Sequence, residues 1–165
     1  MDAVLSILAA IGLRADPAWA AANCRSGVPP GTAAQDLLAS SLSCDLKRIV
    51  SGGALPVPLG DAPTTLVGPV VLQIVRADDV SQPLQCRSNS IVNAGRALKL
   101  ILTDGYNEIA AFEWRRIPSI PLGDVVGAKI ICKNVPLRHG LLLLSPENAL
   151  FVGGSIDNRA ESPEV

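Results

Sequence analysis

The sequence predicts a mainly β chain with an α-helical head: a three-helix N-terminal bundle packed on a five-stranded barrel. Apolar residues recur at helical spacing up to residue 50, and strand-like runs replace them after Gly52-Gly53. An Asp104-Gly105 pair joins two of those runs and reads as a hairpin turn. Residues of the AVILMFWYC set make up 48% of the chain but aromatics only 3%, so the core must be built from Leu, Val, Ile and Ala.

In the head, Asp2 caps a helix running to about Leu13, with Val4, Leu5, Leu8 and Ile11 on one face. Asp16-Pro17 is an N-cap followed by proline at the first helical position, and it opens a second helix through Trp19 to Cys24. After a loop over 26–31, Thr32 starts a third helix reaching Val50, lined by Leu37, Leu38, Leu42, Leu46 and Ile49. Residues 1–52 thus form the helical domain and 53–62 an extended, proline-rich connector.

Strand patterns occupy 66–76, 97–102, 106–114, 128–133 and 140–144, the last resuming at 149–152. Five strands with a tight hairpin between the second and third predict a Greek-key OB-fold barrel over 63–156, followed by a flexible tail at 157–165. A long polar loop over 77–96 separates strands one and two. Residues 115–127, with two prolines, fill the position of the usual OB helix.

The formal net charge of −1 gives no global attraction to nucleic acid or anionic membrane. Cys24, Cys44, Cys86 and Cys132 include no CxxC pair and read as reduced, mostly buried thiols. His139 is the only histidine and lies in a turn-like segment, so neither a zinc site nor a Ser/His/Asp scheme is supported. The carboxylates are scattered, and the glycine pairs lack a phosphate-loop context. The expectation is therefore no enzyme, no cofactor and no metal. The apolar run at 3–12 is too short to cross a bilayer, and for a signal peptide Asp2 stands where a positive residue belongs while Arg14 follows the run instead of preceding it.

Two features point to binding. Trp114, Arg115 and Arg116 are a candidate single-strand nucleic-acid patch, although Phe112 and Trp114 share a strand face, which also fits core packing or a barrel rim. The long loop carries Val80, Leu84, Ile91 and Val92 where solvent is expected. It is either an insertion without a role or a segment buried by another protein.

Residues 79–83, 98–105, 117–121, 127–130 and 140–154 resemble, in that order, the RecQ-mediated genome instability protein 1 family. Upstream, Asp16-Pro17-Ala18-Trp19 with Cys24, and residues 35–47, resemble its N-terminal helices. Tudor domain-containing protein 3 shares the same OB module. The resemblance implies a nuclear, non-catalytic scaffold that binds DNA topoisomerase III and works with a Bloom-type RecQ helicase in dissolving double Holliday junctions. It implies weak or indirect DNA contact, and a loop that acts at the topoisomerase gate through Val80, Pro83, Leu84, Ile91 and Val92. It also implies a partner-binding role for Lys129, and its place at the start of a strand next to a glycine lets the ammonium reach solvent or a partner. The alternatives are a single-strand-binding OB protein and a Tudor-type topoisomerase adaptor in RNA complexes. The loop is shorter than in the vertebrate junction-dissolving members. This chain has neither a second OB domain nor a Tudor domain, so binding of the small partner OB subunit is not expected.

Overall fold

The computed structural model describes residues 1–56, 62–83, 85, 90–91 (backbone only) and 95–156. The head holds α1 (Asp2–Ala10), α2 (Pro17–Asn23), α3 (Pro30–Ser41) and α4 (Leu46–Ile49). Helix α1 stops short of Leu13 because Gly12, at φ +94°, closes it. The Leu13 N–H donates to Leu8 O and the Gly12 N–H to Ala9 O, a Schellman closure. Helix α2 starts as expected, with Asp16 accepting from the Ala18 N–H at 3.1 Å.

The expected third helix is two helices, so the three-helix bundle is corrected to four short helices. Polar side chains at the break compete with the helical ladder. Ser41 Oγ donates to Leu38 O and Ser43 Oγ to Ser40 O, at 2.6 and 3.1 Å. Asp45 then accepts from the Lys47 N–H and caps α4.

The strands are β1 (Thr64–Asp79), β2 (Ser90–Ile91), β3 (Leu98–Thr103), β4 (Glu108–Glu113), β5 (Gly123–Asp124), β6 (Lys129–Arg138), β7 (Leu141–Leu144) and β8 (Ala149–Gly153). Their order is β1-β3-β4-β7-β6, and pairing of β1 with β6 closes a five-stranded OB-like barrel. The β4–β7 pair is parallel and the other ladders are antiparallel. The expected fifth strand is divided. The Ser145 N–H donates to Asn148 Oδ1 in a turn, after which β8 pairs with β6 outside the closed ring. No helix occupies 115–127; the prolines there suit turns, and β5 pairs instead with β2 of the long loop.

Alternation places Leu98, Leu100 and Leu102 of β3, and Ile109 and Ala111 of β4, inside the barrel. A second core belongs to the head and includes Val71 of β1, with Ile131 of β6 packed against it. Val71 and Ile131 are cross-strand partners, so the head sits on the β1–β6 wall. The approach is close: a methyl group on Gly12 would lie 2.5 Å from the Pro69 carbonyl. The Val71 N–H donates to Gly12 O, and the Leu46 N–H donates to Gln73 Oε1 at 2.7 Å. Asp104 ties the connector to the hairpin. Its Oδ2 accepts from the Ala54 and Leu55 N–H groups, and its Oδ1 from those of Tyr106 and Asn107.

Candidate partner interface

The β1–β3 loop leaves the barrel at Asp79 and returns at Ala97. Asp79 lies at the inward-facing end of β1 and is buried. Its Oδ1 accepts from the Ala97 N–H at 3.1 Å and from the N–H and hydroxyl of Ser81. Its Oδ2 is buried with no hydrogen-bond partner among the described residues. Burial opposes its charge, but the Ser81 hydroxyl, the Ala97 and Ser81 N–H groups and the nearby Arg96 outweigh it and hold the pKa below 3.8. The Val80 N–H donates to Ala97 O at 2.8 Å and closes the root of the loop.

Arg96 and Glu113 form a second clasp, with side chains only 1% and 2% exposed. The guanidinium meets the carboxylate in two parallel bonds of 2.9 and 2.8 Å. It also donates to Ile117 O and Ile120 O, while the Ile117 N–H donates to Glu113 Oε2. One ion pair therefore joins the returning end of the loop, β4 and the 115–122 segment. The β2–β5 pairing adds a third attachment farther out.

Against this frame, the expected site residues divide. Val80 is half-buried at the loop root and Pro83 is exposed. Leu84 and Val92 lie outside the described residues, and for Ile91 the backbone alone is described. Trp114 is 65% exposed and shares the outward face of Phe112, which fits the rim reading. Arg115 pairs with Glu147 at 2.6 Å on the surface, and Arg116 is exposed. His139, with Gly140, turns the β6–β7 hairpin with positive φ at both positions, as expected of a turn residue.

The solvent-reaching ammonium expected of Lys129 is corrected. Lys129 is 1% exposed, and its Nζ donates to Cys44 O at 2.5 Å and Gly127 O at 3.2 Å. It runs under the α3–α4 break and satisfies a carbonyl there. Desolvation lowers its pKa from 10.5 to about 8, partly opposed by Asp45 and Cys44. Cys132 is buried and its thiol is pushed up to about 12 by burial, whereas Cys24 and Cys44 are half-buried. Cys86 lies outside the described residues.

The clasp residues Asp79, Arg96 and Glu113 were missed by the sequence reading. A signal existed for Glu113: it follows Ile109 and Ala111 at the inward parity of β4, and an inward carboxylate requires a partner. Nothing in the sequence identifies that partner as Arg96.

Residues 55–163 match the family described as RMI1, N-terminal OB-fold domain. The chain is 32% identical to RecQ-mediated genome instability protein 1 of Oryza sativa subsp. japonica, over 94% of this chain and 20% of that protein. It is 30% identical to the Arabidopsis thaliana protein of that name, over 96% of this chain and 26% of the relative. Tudor domain-containing protein 3 of Xenopus tropicalis is 32% identical over a shorter stretch, 59% of this chain and 14% of that protein. The chain thus spans about a fifth to a quarter of the length of these first two relatives. A closed barrel with this strand order, capped by a helical head and matched over most of its length, belongs to the RMI1 N-terminal OB-fold domain family.

Proposed function

We propose that this chain is a non-catalytic, nuclear adaptor that binds a type IA topoisomerase III within a RecQ helicase complex and supports dissolution of double Holliday junctions. Family membership supports the genome-stability role, since the relatives are named for RecQ-mediated genome instability. The observation that carries the binding mode is the triple attachment of the β1–β3 loop, by Asp79, by Arg96–Glu113 and by β2–β5. A loop held at its root can present Val80, Pro83, Leu84, Ile91 and Val92 to a partner without a large ordering cost. Differential contact with an open and a closed topoisomerase gate would then shift that equilibrium. Lys129 serves this reading indirectly, by fixing the head on the barrel.

The test replaces residues 80–92 with a Gly/Ser linker of equal length. The barrel should stay folded, because its strands pair independently of the loop composition. Affinity for topoisomerase III should fall but not vanish, and decatenation should respond differently to the added protein. A variant equal to the parent in affinity and decatenation sinks the loop mechanism. Absence of any topoisomerase binding by the parent sinks the adaptor reading itself.

The exposure of Trp114 beside Arg115 and Arg116 favours single-strand binding as a second reading. Salt separates the two, since affinity for a strand should decline steeply between 50 and 200 mM salt, roughly as a power of concentration. Weak, salt-labile binding of short single-stranded DNA is expected. Submicromolar affinity that depends on Trp114 would make the strand the primary ligand.

A further inference from the structure

The outward side of β3, β4 and β7 carries a continuous apolar strip. In register, Lys99 opposes Phe112 and Ile101 opposes Ala110, while Ala110 and Phe112 oppose Leu141 and Leu143. Opposed residues share a face, so these side chains lie together outside the barrel, with Leu100, Leu102, Ala111 and Leu142 on its inside. Ile101, Phe112, Leu141 and Leu143 are half-buried and belong to neither core. Trp114 extends the strip past the end of β4, where its backbone N–H donates to Leu144 O. The head sits elsewhere, on Val71 and Ile131, and among the described residues no element outside the barrel makes more than slight contact with β3, β4 or β7.

Its chemistry selects the occupant. Bases stack on exposed rings, and here Trp114 is well exposed while the neighbouring Phe112 is half-buried among aliphatic side chains, which suits a protein segment better than a strand. The margins are cationic. Lys99 lies on one side, and Arg138, opposite Leu141, lies on the other. Neither makes an ion pair among the described residues, although Asp78 stands opposite Lys99 in register; Arg138 donates to Thr64 O and Leu137 O. The neighbouring acids differ: Asp78 is engaged by Arg76 and Glu147 by Arg115, while Glu108 stands at the hairpin end opposite Thr103. We infer that this strip is a second docking surface, distinct from the long loop, for a partner segment in which large apolar side chains alternate with Asp or Glu.

The experiment uses the chain labelled with ¹⁵N and three probes: a short synthetic peptide alternating Leu and Glu, its Leu/Lys counterpart, and oligo-dT. The acidic peptide should shift the amide signals of 99–101, 110–114 and 141–143. Lys99→Glu, an exposed change that sets a second carboxylate opposite Asp78 and has its folding checked by the retained spectrum, should weaken the acidic peptide about tenfold. Phe112→Ala should weaken it as well, its folding checked by the retained spectrum. Equal binding of the Leu/Lys peptide, an unchanged affinity in Lys99→Glu, or shifts confined to other faces would overturn the inference. So would oligo-dT shifting the same signals more strongly than the acidic peptide. Because the long loop is untouched in these variants, failure here leaves the topoisomerase reading standing.

Discussion

Lys129 donates to two carbonyls in the head–barrel junction, and its burial sets a pH dependence with a definite sign. The folded pKa, about 8, lies below the 10.5 of the free side chain, mainly through desolvation. Between those values the unfolded chain binds more protons than the folded one, so this lysine makes stability rise with pH across that window. Compared with Lys129→Met, which keeps the volume without the charge, the native protein should gain on the order of 3 kcal/mol from pH 8 to 10.5. Urea unfolding of both proteins across that range checks it, and a constant difference would mean that the ammonium is hydrated. Lys129→Ala should lower the melting temperature, unlike the removal of a solvated lysine. Asp79 and Asp104 act in the opposite range. Burial raises each pKa but hydrogen bonds outweigh it, so their stabilisation is present above about pH 4 and lost as pH falls. Glu113→Gln leaves the Arg96 charge buried without its counter-ion and should cost about 3–5 kcal/mol by thermal or denaturant unfolding.

At the level of elements, patterns that repeat were legible and single polar residues were not. The alternation of β3 and β4 and the Asp104-Gly105 turn appear where the sequence places them. The break between α3 and α4 escaped because Leu37, Leu42, Leu46 and Ile49 keep helical spacing across it, and periodicity does not register serines bonding backward. That break changes the expectation for Leu42. It is half-buried at the end of α3, whereas Leu37 is fully buried. Leu37→Asp should therefore cost several kcal/mol and Leu42→Asp distinctly less. Asp45→Ala removes the cap of α4 and should cost about 1 kcal/mol. Equal melting of the two leucine variants would restore an unbroken helix. Residue types at 149–152 suggested continuation of the preceding strand, since the turn made by Ser145 and Asn148 is written in two short polar side chains.

Across the whole molecule, the order of head, connector and barrel was legible because composition shifts at Gly52, but the attachment of head to barrel was not. It depends on Gln73, Asp104 and Lys129, which are polar residues in apolar surroundings far apart in sequence. Deleting residues 1–52 uncovers Val71 and leaves Lys129 and Gln73 without their partners in the head. The isolated barrel should melt on the order of 10 °C lower, read by calorimetry. Strand β1 joins the two ends of the fold: the head packs on it at Val71 and Gln73, and the loop leaves it at Asp79. The six residue steps from Gln73 to Asp79 span roughly 20 Å of paired strand. The pairing with β3 shifts register between Ile74 and Arg76, so the link from the head to the root of the loop bends partway along, and the head and the loop root need not share one direction.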